Sequence, residues 1–141
     1  KLNERKVPAM AFFHMPPAEF KEAYEKMKLG DHSVIYEHGS IGEKDEYFGI
    51  SNRPPHFFEK AVDNGWLKWI FCGHDHLNTL SLTYKGIRMT YGMSIDYLGY
   101  SGIAKQYIQR GATLITRKTD GNIDITMVPL TTVVSTRVRG A

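Results

Sequence analysis

The stretch LKWIFCGHDHLN at residues 67–78 combines an apolar strand with two closely spaced histidines. Its first half is a short run of β-favouring residues with Gly65 ahead of it and Gly73 behind it, a pattern typical of a buried strand that ends in a loop. The loop opens with His74 and His76, and in extended backbone side chains two residues apart point to the same side. Imidazole is the commonest protein ligand for metals such as zinc and iron. The stretch therefore predicts half of a metal site, although a His-x-His pair also arises by chance.

A second strand that ends in histidine lies near the amino end of the chain. Residues 7–13 (VPAMAFF) are apolar and compact, and His14 follows them just before two prolines. Open α/β sheets place their ligands at the carboxyl ends of the strands. Taken alone, His14 fits a structural histidine better than a metal ligand, but two buried strands that each end in histidine favour a shared site.

Helices and hairpins are predicted on both sides of the central stretch. Residues 18–28 carry apolar side chains at close to helical spacing. A second helix is predicted to start within Arg-Pro-Pro at 53–55 and to end at Asn-Gly at 64–65. Residues 79–91 predict a hairpin with a Lys-Gly turn, and residues 111–128 predict another with an Asp-Gly-Asn turn.

Residues 30–52 lack clear periodicity and contain several glycines. They predict a long surface loop, and structureless loops of more than roughly 12–15 residues are often functional. His32 and His38 lie in this segment, and both are interpreted as solvated histidines rather than metal ligands.

The composition fits one globular domain. The chain has 141 residues, of which 42% are hydrophobic and 23% charged, and its net charge is +3. These values are ordinary, and no basic run indicates nucleic-acid binding. Cys72 is the single cysteine, which excludes an internal disulfide, and no apolar stretch reaches the roughly 18 residues needed to span a membrane. The chain begins with a charged segment without methionine, and we expect it to be part of a longer protein.

Two motifs of the chain resemble a known family. The residues FFHMP at 12–16 and FCGHDHLN at 71–78 look like the two C-terminal signature motifs of calcineurin-like metallophosphoesterases, with the purple-acid-phosphatase-like enzymes as the nearest subgroup. Gly42-Glu43 and the approach to the second motif at 64–71 are also similar to that subgroup. The resemblance covers roughly residues 7–128.

The resemblance implies an α/β fold, namely the C-terminal half of an αββα sandwich in which two mixed sheets pack together and are flanked by helices. On this interpretation residues 1–141 form the C-terminal part of a single metallophosphoesterase domain, and its N-terminal part is not in this chain. A solitary half would expose apolar sheet surface, so we expect it to bind the other half or to self-associate.

The resemblance also implies two metal ions, which would be iron, zinc or manganese. By resemblance, His14 and His74 bind one ion and His76 binds the other. Asp75 is more plausible as a residue that orients the loop than as a direct ligand.

Further, weaker candidates lie next to these histidines in the sequence or in a later loop. Asn78 follows the motif, and Tyr97 and Tyr100 lie in a glycine-rich loop at 92–102. With Asp75, these residues are candidates for contact with the metal ligands or for a substrate pocket. An ordinary packed loop explains the segment at 92–102 at least as well.

The family implies a metal-dependent hydrolase of phosphoric esters, with a phosphate-ester substrate. The earlier motifs of the family, Asp-x-His, Gly-Asp-x-x-Asp and Gly-Asn-His-Asp/Glu, are absent from these residues. No catalytic residue is therefore assigned in this chain, and we expect the chain by itself to be inactive while the parent protein is an enzyme.

Two alternatives remain open. The first is a non-catalytic metal-binding or interaction domain with the same fold. The second is a different metallohydrolase of the metallo-β-lactamase type, which also uses His-x-His. In that family the motif continues to an Asp-His pair, whereas here Leu77 and Asn78 follow, so this alternative ranks low. Nothing indicates a membrane or a nucleic acid as a partner.

Overall fold

Seven strands, two α-helices and two short 3-10 helices lie in the described part of the chain, which in this computed structural model comprises residues 7–50, 56–106 and 109–130. The chain divides into two units, the first ending at Gly92 and the second starting at Met93. The first unit holds a mixed five-stranded sheet and both helices, and the second holds a two-stranded antiparallel sheet. The predicted α/β class, with a mixed sheet and a second sheet, is confirmed. That the whole chain belongs to one metallophosphoesterase domain with two packed sheets stays a prediction.

Strands and helices alternate at the start of the first unit, and the second unit contains strands. The bounds are β1 Ala9–Phe13, α1 Ala18–Lys28, β2 Val34–His38, α2 His56–Asn64, β3 Leu67–Cys72, β4 Ser81–Tyr84, β5 Ile87–Tyr91, β6 Gly111–Arg117 and β7 Ile123–Pro129. The two strands predicted to end in histidine, the helix at 18–28 and both hairpins are confirmed.

The order of strands in the larger sheet is β1-β3-β5-β4-β2. β1, β3 and β5 are parallel, whereas β4 pairs antiparallel with β5 and β2 antiparallel with β4. Phe13 at the end of β1 lies opposite Cys72 at the end of β3. Just beyond this pair, the N–H of Gly73 donates a 3.1 Å hydrogen bond to the carbonyl of His14. The two histidine-bearing loops therefore leave the sheet side by side.

One face of this sheet packs against the helices and forms the core. α1 buries Phe20 and Ala23, which share one side of the helix because they are three residues apart. α2 buries Phe58 and Ala61 by the same spacing. The sheet contributes Leu67, Ile70, Leu82, Ile87, Met89 and Tyr91 to the same cluster. Burial of a large apolar side chain stabilises a fold by about 1.5–3 kcal/mol, so this face holds the first unit together.

The opposite face is exposed along β1. Phe12 is 63% exposed and Met10 is 39% exposed, and both point away from Ala9 and Ala11, which pack against the core. The ring of Phe12 stacks on that of Phe71 at 5.0 Å. Among the described residues, β1 is paired along one edge. The strand therefore presents both apolar side chains and unpaired backbone groups.

The prediction of a loop throughout 30–52 is wrong, because β2 lies within it and pairs with β4. Val34 is buried, but the next three residues are exposed, so the strand lacks the alternation that indicates a half-buried strand. An outermost strand of a sheet tolerates this exposure. Its local signal is the β-favouring Val-Ile-Tyr sequence.

One prediction falls on residues outside those described, namely the helix start at 53–55. The helix itself is confirmed, and the N–H of Gly65 closes its end with a 3.0 Å hydrogen bond to the carbonyl of Ala61. In the described ranges, neither helix is long and apolar enough to cross a membrane.

Candidate metal centre

His74 occupies a strained turn immediately after β3. Its φ angle of +69° lies in the left-handed region, which residues with a side chain seldom adopt. The N–H of Asp75 donates a 2.9 Å hydrogen bond to the carbonyl of Gly73 and so closes the turn around His74. Three-residue turns with a positive central φ are rare, and backbone of this kind costs about 1–3 kcal/mol. Contacts from the rest of the fold must therefore hold the turn.

The side chains of His14 and His74 meet at the ends of β1 and β3. Nε2 of His14 lies 3.1 Å from Nδ1 of His74, and the rings are nearly perpendicular with centroids 5.0 Å apart. In the absence of a metal, two neutral rings at this distance share a hydrogen bond, with one donating and the other accepting. Two nitrogens that bind one tetrahedral zinc ion at about 2.0–2.1 Å are about 3.3 Å apart. The pair is thus spaced to share a cation with little movement.

Asp75 points into the protein interior. It is 4% exposed, and its carboxylate accepts hydrogen bonds from the N–H of Gly49 at 3.1 and 2.9 Å and from the hydroxyl of Tyr91 at 2.5 Å. Burial, together with this hydrogen bond and the charge of Asp75, raises the pKa of Tyr91. The tyrosine therefore stays protonated and donates. The carboxylate of Asp75 is occupied in holding the loop.

Asn78 anchors a second segment of the chain to the same loop. It is fully buried, and its Oδ1 accepts hydrogen bonds from the N–H groups of Gly42 and Glu43 at 3.0 and 3.1 Å. Its Nδ2 donates to the carbonyl of Tyr47 at 3.1 Å. In return, the N–H of Leu77 donates to Oε1 of Glu43 at 3.1 Å. The segment between β2 and α2 is thereby fastened to the histidine loop.

Gly49 lies directly against the ring of His74. A Cβ atom at this position would come within 1.9 Å of Cδ2 and 2.4 Å of Nε2 of His74, so the ring can occupy its place only because residue 49 has no side chain. Neither Gly49 nor Tyr91 is predicted from the sequence as part of the site. The position of Tyr91 could have indicated its role, because it ends the strand that pairs with β3 and lies opposite Cys72.

Three proteins of Arabidopsis thaliana are similar to this chain in sequence. Probable inactive purple acid phosphatase 29 is 28% identical over 93 residues, which are 66% of this chain and 21% of that protein. Probable inactive purple acid phosphatase 28 is 31% identical over 93 residues, which are 66% of this chain and 20% of that protein. Probable inactive purple acid phosphatase 14 is 38% identical over 47 residues, which are 33% of this chain and 12% of that protein. The chain is purple-acid-phosphatase-like.

The predicted resemblance is thus confirmed at the level of the family. The purple-acid-phosphatase-like chain spans about a fifth of the length of the two relatives that it matches over 93 residues. No protein-family model and no solved structure matches it.

Metal cofactors are suggested by this family, and the residues present fit them in part. His14 and His74 fit two imidazole ligands of one ion. Within residues 7–50, 56–106 and 109–130, however, no group of three or more His, Cys, Asp or Glu side chains could hold a metal ion, so His76 does not complete such a group with the pair. Binding of one ion by His14 and His74, and of a second ion by His76, both stay predictions.

Tyr97 and Tyr100 belong to the second unit of the purple-acid-phosphatase-like chain. The guanidinium of Arg110 lies 5.0 Å from the ring centroid of Tyr97, and its Nε donates a 2.7 Å hydrogen bond to the carbonyl of Asp96. Tyr100 is 43% exposed. The buried arginine thus organises this loop, and a role for either tyrosine in a substrate pocket stays a prediction.

The interpretation of His38 as a solvated loop histidine is wrong. It ends β2 and is half-buried, and its Nδ1 accepts a 3.1 Å hydrogen bond from Arg88. Its Nε2 is buried and has no hydrogen-bond partner among the described residues. Burial and then the charge of Arg88 lower the pKa of His38, against the opposite effect of Glu37. Arg88 itself contacts Glu37 at 3.5 Å and Ser81 Oγ at 3.0 Å.

This environment predicts a loss of stability in acid. Because the folded-state pKa of His38 lies below its ordinary value of about 6.5, the unfolded chain takes up the proton first as the pH falls. The stability that neutral His38 provides is complete above about pH 6.5 and is lost as the pH falls through the folded pKa. We expect His38→Gln to make the urea-unfolding free energy less pH-dependent below about pH 6.5. His32→Gln, at an exposed position, should keep the wild-type dependence, and equal curves for both variants would contradict the assignment.

Proposed function

We propose that this chain forms the metal-binding C-terminal part of a binuclear metal-dependent phosphoric ester hydrolase, a metallophosphoesterase. The observation that carries the proposal is the distance of 3.1 Å between the ring nitrogens of His14 and His74. Two parallel strands deliver these rings to one point, and the strained turn at residue 74 indicates that the geometry has a use, since such strain concentrates at functional sites.

In this proposal His14 and His74 bind one ion and His76 binds a second, and the ions are iron, zinc or manganese. Metal ions at such a site clamp the attacking and leaving oxygens of phosphoryl transfer and lower the pKa of water. The chain's own part is to present imidazole ligands from the loops that follow two paired strands. The carboxylate ligands that balance the charge come from residues outside those described.

A second candidate is a non-catalytic metal-binding or interaction domain of the same fold. Two observations favour it. The three relatives are each named as probable inactive purple acid phosphatases, and the described residues lack a group of three donor side chains. As a metal-binding domain, this candidate shares the imidazole pair with the first and differs from it in turnover, whereas a pure interaction domain binds no metal ion at the pair.

Metal binding by the isolated chain tests the site that the hydrolase and the metal-binding domain share. We expect Zn²⁺ to bind the wild-type chain, and His14→Ala or His74→Ala each to weaken binding by more than about 10-fold, because even the loss of a partner outside the ligand set costs roughly 10–100-fold. Isothermal titration calorimetry measures the affinity, with exposed His32→Ala as the matched control.

The double variant His14→Ala/His74→Ala shows whether the two rings serve the same ion. If they share one cation, each single variant loses the same equivalent of bound Zn²⁺, so the double variant loses no more than either single variant. If the rings serve different ions, each single variant loses its own equivalent, the double variant loses both, and the shared site is excluded.

Turnover separates the two candidates. In the longest natural polypeptide that contains this sequence, the hydrolase proposal predicts metal-dependent hydrolysis of p-nitrophenyl phosphate. His76→Ala should abolish this activity while the unfolding temperature stays close to that of the wild type. Absence of hydrolysis in the metal-loaded wild type would favour the non-catalytic domain, and wild-type rates in the variant would remove His76 from the site.

We further propose that the exposed face of β1 is an interface. Phe12 and Met10 are exposed on this face, and among the described strands β1 pairs along one edge. In the parent protein its occupant is the remaining half of the domain, and in the isolated chain it is a second copy. Sedimentation should therefore show an associated wild-type chain and a monomeric Phe12→Lys variant. Ile35→Lys, equally exposed at 59% on the outermost strand β2, should stay associated. A monomeric wild type would refute this interface.

A further inference from the structure

We propose that Tyr91 and Gly49 are positioning residues which, through the buried carboxylate of Asp75, hold His74 in the geometry that meets His14. The inference rests on the proposed metal site and adds two residues to it, neither of which is a candidate ligand. The contacts of these residues explain why the strained turn at His74, with a φ angle of +69°, is stable next to the sheet.

Tyr91 forms the fixed end of this arrangement. Its ring is fully buried and stacks on the ring of Phe20 from α1, with centroids 4.9 Å apart and an interplanar angle of 27°. The ring centroid of Phe48, in the same hydrophobic core, lies 6.0 Å from that of Tyr91. The backbone N–H of Tyr91 donates a 2.9 Å hydrogen bond to the carbonyl of Leu80. The hydroxyl is therefore presented from the core at a fixed position, 2.5 Å from Oδ2 of Asp75.

Gly49 forms the other end. Its N–H reaches both carboxylate oxygens of Asp75, at 3.1 and 2.9 Å, and the space where its side chain would lie is filled by the ring of His74. The preceding residue, Phe48, is buried in the core. The backbone at residue 49 therefore supports the ring of His74 on one side. Nε2 of His14 lies 3.1 Å from Nδ1 of the same ring.

Asp75 transmits these contacts to the turn. Its side chain is held by Tyr91 and Gly49, and its own N–H closes the turn onto the carbonyl of Gly73. Because Asp75 directly follows His74, it cannot shift without moving the peptide that sets the conformation of His74. Without the hydroxyl of Tyr91, Oδ2 loses one of the two hydrogen bonds that it accepts from described residues, and the turn can relax toward an ordinary backbone conformation.

The substitution Tyr91→Phe tests this inference, because it removes the hydroxyl and keeps the buried ring. We expect the affinity of the chain for Zn²⁺, measured by calorimetry, to fall by about 10–100-fold, as is typical when a partner outside the ligand set is lost. The matched control is Tyr84→Phe. Tyr84 is also buried in the sheet and donates to a carboxylate, that of Glu22, at 2.8 Å, so its loss should leave the Zn²⁺ affinity unchanged.

A second readout needs no metal. In the metal-free chain, nuclear Overhauser contacts between the ring protons of His14 and His74 should be present in the wild type and in Tyr84→Phe. They should be weakened or lost in Tyr91→Phe and in Gly49→Ala, the latter because the added methyl displaces the ring of His74. If Tyr91 had a purely structural role, Tyr91→Phe and Tyr84→Phe would both lower the unfolding temperature. The ring contacts between His14 and His74 would then be the same in the two variants.

The outcomes separate the inference from the proposed function. If the wild-type chain binds no Zn²⁺ but the ring contacts depend on Tyr91, the metal assignment fails and the positioning role stands. If Tyr91→Phe keeps both wild-type affinity and wild-type ring contacts, the positioning role is overturned whatever the chain binds. If Tyr91→Phe does not fold, Gly49→Ala decides, since ring contacts retained in that variant overturn the role as well.

Discussion

The parallel pairing of β1 with β3 is the constraint on which the candidate centre depends. It sets Phe13 opposite Cys72, so that the next residues of both strands leave the sheet together and are joined by the hydrogen bond from Gly73 to His14. Parallel strands cannot be joined by a tight turn, and about sixty residues lie between the two histidines. The connection supplies α1, β2 and α2, of which both helices cover the core face of the sheet. The intervening chain also carries the segment that fastens the histidine loop.

The free-energy cost of the strained turn at His74 is comparable to the free energy that the hydrogen bonds of Asp75 contribute. Backbone of this kind costs about 1–3 kcal/mol, and a hydrogen bond to a charged group contributes about 1.5–3 kcal/mol. The carboxylate of Asp75 accepts from both Gly49 and Tyr91, so these contacts are sufficient to offset the turn. The same contacts satisfy a carboxylate that is 4% exposed, which would otherwise be costly to bury. The hydrogen bonds of Asp75 thus offset both the strain of the turn and the cost of burying the carboxylate, and they hold the ring of His74 in one position.

Local patterns in the sequence predicted the strands that end in histidine, both helices and both hairpins, because each depends on residues close together in the chain. A shared site at the two strand ends was expected because open α/β sheets place their ligands at the carboxyl ends of strands, whereas the pairing of β1 with β3 is seen only in the structure. The strand β2 was missed because its exposed position removes the alternation that marks other strands. The roles of Gly49, Tyr91 and His38 were missed for another reason. Each depends on a contact between distant segments, such as the 26 positions between Gly49 and Asp75, and no local pattern records it.

The similarity of the chain to purple acid phosphatases and the spacing of its two imidazoles lead to the proposal that His14 and His74 share a cation. The most direct test is a crystal of the chain grown with Zn²⁺ and measured on both sides of the zinc absorption edge. We expect an anomalous difference peak in contact with Nε2 of His14 and Nδ1 of His74, and we expect this peak to be absent from crystals of His74→Ala. A zinc peak bound to other side chains, with these two nitrogens still joined only to each other, would contradict it.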